Sequence, residues 1–210
     1  MLGALAQLKA MDGQFDEARS LCQRVRTILA ELRAEIDANS TSIEASRVEI
    51  HAGDLEAAEA MLRRDDEALE ALEEQFFRAT IVGILANVLA VRGSWQDAEK
   101  YAVVAEGLSD EDDQEAQISW RTARAKVLAH AGAAEEAVAL AQQAVALSGE
   151  GEDVGLKADA LTELGRVLAM AGHRESSGPP LREALSLYEL KGDRSAMVIV
   201  QELIGELTTA

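Results

Sequence analysis

The chain has 210 residues, 48% apolar and 28% charged, enough for one sizeable core and too apolar for a disordered tail. Its 20 Lys and Arg stand against 38 Asp and Glu, a net charge of −18, so a nucleic-acid backbone or an anionic membrane surface would repel it. Three Phe, two Tyr and two Trp are too few for a base-stacking platform, and one cysteine, Cys22, excludes an internal disulfide.

Apolar residues at spacings of three and four predict helices over 2–12, 15–37, 41–52, 55–74, 76–92, 95–108, 111–131, 134–148, 154–171, 177–190 and 194–207. The opening MLGALAQLKAMDGQ lacks the basic and apolar parts of a secretory leader, and no run nears the ~18 apolar residues of a membrane span. A cytoplasmic protein of bacterial type is expected. Alternate junctions between these helices share one motif: MDGQFDEA, HAGDLEAAEA, VRGSWQDAE, HAGAAEEAV and MAGHRESSG. Their glycines, Gly13, Gly53, Gly93, Gly132 and Gly172, are 40, 40, 39 and 40 residues apart. Each suits the left-handed position that closes a helix, so the unit is a helical hairpin. Short polar linkers such as Asn39-Ser40-Thr41 and Gly149-Glu150-Gly151-Glu152 join the hairpins, which gives no domain boundary. Pro179 and Pro180 predict that the second helix of the fifth hairpin starts late, near Ser177. The final segment aligns Met197, Val200, Leu203 and Ile204 on one face and is expected to cap the edge of that hairpin.

Two columns of small residues accompany the glycines. Five positions after them stand Ala18, Ala58, Ala98, Ala137 and Ser177; seven before them stand Ala6, Ser46, Ala86, Ala125 and Gly165. Antiparallel helices approach to about 8–9 Å only where such side chains meet, so these columns mark the crossings. Larger residues at helical spacing, such as Leu161, Leu164 and Leu168, form the core. Asp65 stands where later units have Ala105, Ala144 and Ala184, which predicts a weak second unit.

The pattern resembles the tetratricopeptide repeat, most closely in ADALTELGRVLAMAGHRESSGPPLREALSLYE, where Leu164, Gly165 and Ala184 occupy the family's places. The family's early tryptophan slot holds Leu2, Ser42, Val82, Arg121 and Leu161, its turn aromatic survives as Phe15 and Trp95, and the ~40-residue period exceeds the usual 34. The resemblance implies an all-α, right-handed solenoid of five hairpins (1–38, 39–75, 76–110, 111–150, 151–191) with a cap helix over 192–210, all one domain. The segments DDQEAQISWRTARAKVLAHAG, AEEAVALAQQAVAL and LREALSLYELKGD look like the C-terminal repeats of bacterial class III adenylate/guanylate cyclases, which follow a signal-transducing ATPase module, and of LuxR-type regulators. Met1 already occupies the third place of the first repeat, so the chain reads as a piece of a longer protein. No G-x-x-x-x-G-K-[ST] loop occurs, and catalysis by such a parent would lie outside this chain.

Other candidates have structural explanations. Ser109-Asp110-Glu111-Asp112-Asp113 lacks the glycine and later glutamate of a calcium loop and reads as a helix start. His51 and His130 sit near helix ends without a partner histidine, and Cys22 reads as a buried, inert thiol. No metal and no cofactor is expected. The column six residues before each glycine is Gln7, Arg47, Asn87, Lys126 and Arg166, all hydrogen-bond donors. In the resembled family this place faces the concave groove that holds peptides, so these five residues are the expected site for a peptide or partner protein, an acidic one by charge. Pairing with acidic neighbours such as Glu44 and Glu163 is the other use open to them. The expected function is a non-catalytic interaction or regulatory module of a signalling protein. Self-association into a homo-oligomer is the alternative, and an enzyme has no positive feature.

Overall fold

The computed structural model describes residues 1–149 and 153–209. In chain order the helices are α1 (Leu2–Met11), α2 (Phe15–Glu31), α3 (Glu35–Ser40), α4 (Ser42–Ala52), α5 (Leu55–Ala71), α6 (Phe76–Val91), α7 (Trp95–Leu108), α8 (Gln114–His130), α9 (Ala134–Ser148), α10 (Val154–Met170), α11 (Arg174–Lys191) and α12 (Arg194–Thr209). No strand occurs among the described residues. Pairs α1–α2, α4–α5, α6–α7, α8–α9 and α10–α11 pack as hairpins and stack side by side, with α12 against α11.

Each hairpin turn follows from its glycine. Gly93 has φ +80°, which a Cβ would strain, and lets Ser94 N–H reach back to the Leu89 carbonyl at 2.9 Å. Gly13, Gly53, Gly132 and Gly172 share that positive φ. Both small-residue columns are buried at the crossings: Ala6, Ala18, Ser46, Ala58, Ala86, Ala98, Ala125, Ala137 and Ser177 are fully covered. A Cβ on Gly165 would lie 2.5 Å from Leu181 Cγ, so α10 and α11 approach closely there.

The core is uneven along the array. Eleven of the sixteen residues of α6 are buried, because α5, α7 and α8 surround it. In α2 only Ala18 is buried. Polar contacts hold this end instead. Arg19 grips Glu49 of α4 through two nitrogens at 3.0 and 2.6 Å. Arg26 grips Asp65 of α5 at 2.6 and 2.9 Å and also donates to the Ala38 carbonyl and Asn39. Asp65 is fully buried, so its place in an alanine column is compensated by Arg26 and by Arg64 at 2.8 Å. The second unit is pinned by an ion pair where its siblings pack a methyl group.

Three expectations need correction. The helix read over 15–37 breaks at Arg33, which adopts φ +57° so that Ala34 N–H can close on the Leu29 carbonyl at 2.9 Å. Asn39 and Ser40, read as linker, therefore belong to α3. The helix expected near Ser177 starts at Arg174 and runs 18 residues with both prolines inside. The prolines cannot donate to the carbonyls of Glu175 and Ser176, but those residues are exposed and water can serve them, while Ser177 Oγ donates to the Arg174 carbonyl at 2.7 Å. The linker residues Glu150, Gly151 and Glu152, and Ala210 of the cap segment, lie outside the described residues.

Removing Arg26 leaves the buried Asp65 carboxylate with Arg64, a side chain more than half exposed, as its cation. Arg26→Ala should therefore lower the unfolding free energy by about 3 kcal/mol in denaturant titration, and adding Asp65→Ala should restore most of it. An unchanged double-mutant deficit would show that Arg26 acts through α3 alone.

Candidate functional site

Arg47, Asn87, Lys126 and Arg166 come from α4, α6, α8 and α10, the first helices of successive hairpins. The stacking turns all four toward one concave cavity of about 330 Å³. Gln7, on α1, is exposed and lies outside that lining. The neighbouring small or apolar positions Ile50, Thr122 and Thr162 also line the cavity. Beneath it, a Cβ on Gly83 would lie 2.7 Å from Ser119 Cβ, so α6 and α8 meet closely under the floor.

The polar side chains link one helix to the next. Arg47 pairs with Glu115 of α8. Asn87 donates to the Ser119 carbonyl at 2.7 Å and to the Gly83 carbonyl at 3.0 Å, and its Oδ1 lies 3.2 Å from Thr122 Oγ1. Lys126, 2% exposed, pairs with Glu163 of α10. Arg166 reaches Glu163 only at 3.5 Å through Nε, an atom that is buried without a hydrogen bond. Burial pushes the Lys126 ammonium below the usual lysine range, with Glu163 opposing. Burial pushes the Glu163 carboxyl up, but the charges of Lys126 and Arg166 outweigh it and hold the group below the usual carboxylate range.

One wall was not visible in the sequence. Ala196, Ile199 and Val200 of α12 line the cavity, because α12 packs on α11 and also reaches α4 and α1. Ser195 Oγ hydrogen-bonds His51 Nδ1 at 3.0 Å, 144 residues away, and Arg194 lies 3.5 Å from Asp12. Tyr188 OH donates to Asp159 at 2.5 Å on the same lining, its phenol pushed well above the usual range by burial and then by Asp159. Nothing in the spacing of these residues signals their meeting; the curvature of the array brings it about.

Asp113, His130 and Cys22 occupy structural places. Asp113 caps α8, accepting from Ala116 N–H at 3.1 Å. His130 stacks on Trp95 with ring centroids 4.1 Å apart. Cys22 is half-buried and its thiol is raised by burial, which disfavours the thiolate. Among the described residues no group of three His, Cys, Asp or Glu side chains is placed to hold a metal, and no helix is long and apolar enough to cross a membrane.

Solved structures share the architecture. Similar are the nearly identical TPR-like repeats of a Podosopora anserina chain designated a kinesin light chain (TM-score 0.55, 21% identity, 89% of this chain and 92% of that one) and BtubC (BKLC) from P. vanneervenii (0.62, 18%, 90% and 79%). The fold is that of a tetratricopeptide-like solenoid. A Signal Transduction ATPase with Numerous Domains from Pyrococcus horikoshii, which has a tetratricopeptide repeat sensor, is similar over 97% of this chain and 31% of its own (0.59, 18%). No family profile and no curated protein matches the sequence. In this solenoid the inner face is the one on which α4, α6, α8, α10 and α12 converge.

Glu163 gives this face a pH signature. Its folded pKa is depressed, so its stabilising contribution is present above the unfolded value near 4.3 and is lost as pH falls through the folded value. Glu163→Gln should therefore flatten the acid limb of the thermal midpoint against pH below about 4. A limb as steep as that of the parent would place the acid sensitivity elsewhere.

Proposed function

We propose that this chain is a non-catalytic interaction module of a bacterial signalling protein, binding a peptide or partner domain on its concave face. The observation that carries the reading is the convergence of Arg47, Asn87, Lys126 and Arg166 on one cavity. Arg47 and Lys126 are paired with Glu115 and Glu163, and Arg166, without a close carboxylate, is the cation that favours an acidic partner. The sensor repeats of the Pyrococcus horikoshii protein give a precedent for such an array in a signalling chain. Gln7, outside the lining, would contact only a partner that extends past the cavity onto α1.

Selection of a displayed random peptide library against the immobilised chain tests the reading. Selected peptides should be rich in Asp and Glu, bind more weakly as salt rises, and lose at least tenfold in affinity to Arg166→Gln, about 1.4 kcal/mol for a charge-assisted contact. Arg166 is the appropriate position because Lys126→Ala would strand Glu163 and confuse binding with stability. No enrichment, or acid-free peptides indifferent to the variant, overturns the proposal.

Self-association is the second reading, and exposed apolar side chains favour it: Leu8 on α1 is 58% exposed and Leu32, after α2, is 71% exposed. Light scattering should then show mass rising with concentration, and Leu8→Glu should return it to one chain. A constant monomer mass discards this reading.

A further inference from the structure

We propose that the concave cavity binds a small amphipathic carboxylate, its head on Arg166 and its apolar body among Ile84, Ile118, Ile199 and Val200. The inference rests on the reading of the concave face as the binding face and adds the class of ligand.

Enclosure and size come first. The volume of about 330 Å³ lies within the range of ligand pockets, roughly 300–1,000 Å³. At about 30 Å³ for each water-sized group it holds a body of about ten non-hydrogen atoms. Because α12 crosses from the last hairpin to the first two and is held on the second by the Ser195–His51 hydrogen bond, it walls one side of this face. A compact ligand fits beside α12 without displacing it. The body has an apolar lining to meet, since α6, α8 and α12 supply Ile84, Val88, Ile118, Ile199 and Val200.

Hydrogen-bond accounting selects the head group. Arg47 is engaged by Glu115, Lys126 by Glu163, both amide hydrogens of Asn87 by carbonyls, and the Tyr188 hydroxyl by Asp159. Arg166 differs: among the described residues its ion-pair contact is Glu163 at 3.5 Å, and its buried Nε has no hydrogen-bond partner. A guanidinium presents five donors in a fixed fork that fits a carboxylate. Of the carboxylates at this cavity, Glu115 is taken by Arg47, Glu163 by Lys126 and Asp159 by the Tyr188 hydroxyl, so the Arg166 guanidinium is the group left for a ligand's carboxylate. An alcohol offers that fork a single neutral acceptor, and a cationic head offers none.

Calorimetric titration of decanoate, below its micelle concentration, into the full chain tests the assignment. One decanoate should bind per chain. Decanol and decyltrimethylammonium should bind at least tenfold more weakly, and Arg166→Gln should weaken decanoate at least tenfold. Ile199→Trp, which fills the chamber from α12 and leaves the cations in place, should weaken it to a similar degree, so the test survives if the arginine variant does not fold. Absence of saturable decanoate binding, equal binding of decanol, or indifference to both variants overturns the proposal. Selected acidic peptides that still bind while decanoate does not would overturn the ligand class alone; loss of both would overturn the concave face as the binding face.

Discussion

Two helices of a hairpin can bury their facing surfaces only if their backbones come close, and in this chain that closeness is set by one small residue on each side of every crossing. Ala6 meets the α2 helix of Ala18, Ser46 that of Ala58, Ala86 that of Ala98, Ala125 that of Ala137 and Gly165 that of Ser177. The left-handed glycines supply the reversal that brings each pair together, and the large residues fill what remains between neighbouring pairs. The concave face is a product of this geometry. With the crossings fixed, a residue six positions before each turn points to the same side of four successive hairpins.

The array solves its packing in two chemistries. Around α6 it is apolar, with Leu62, Leu69, Ile81, Leu85 and Leu89 almost wholly covered. Toward the first hairpin it relies on arginine forks: Arg19 to Glu49 and Arg26 to Asp65. In so acidic a chain these few arginines are held by structure, which leaves a small number of cations for the inner face. There too most are committed between helices, so the surface is stiffened by its own ion pairs.

The hairpins were legible in sequence because each is punctuated by a residue type that the backbone demands. Where a different residue does the same job the signal vanishes. Arg33 and Glu73 both adopt φ +57°, ending α2 and α5 with the backbone closure that the glycines make, and neither residue type announces it. Pro179 and Pro180 misled for the converse reason, since a usual helix breaker stands where the lost hydrogen bonds face solvent. The inward column could be read from spacing for Arg47, Asn87, Lys126 and Arg166 but not for Gln7, whose hairpin lies beyond the cavity. The α12 wall could not be read, because periodicity fixes which face of α12 is apolar and says nothing about the curvature that carries its first turn to His51.

That contact changes the mechanical character of the molecule. An open solenoid behaves as a spring: its pitch relaxes by small adjustments at each interface, and its inner diameter breathes accordingly. Here the coil is fastened to itself, with Ser195 on His51 and Arg194 near Asp12. These contacts oppose lengthening of the coil at the interfaces they span. Strain introduced at any hairpin is thereby shared around the circuit, so the bore of the chamber is governed by residues far outside it.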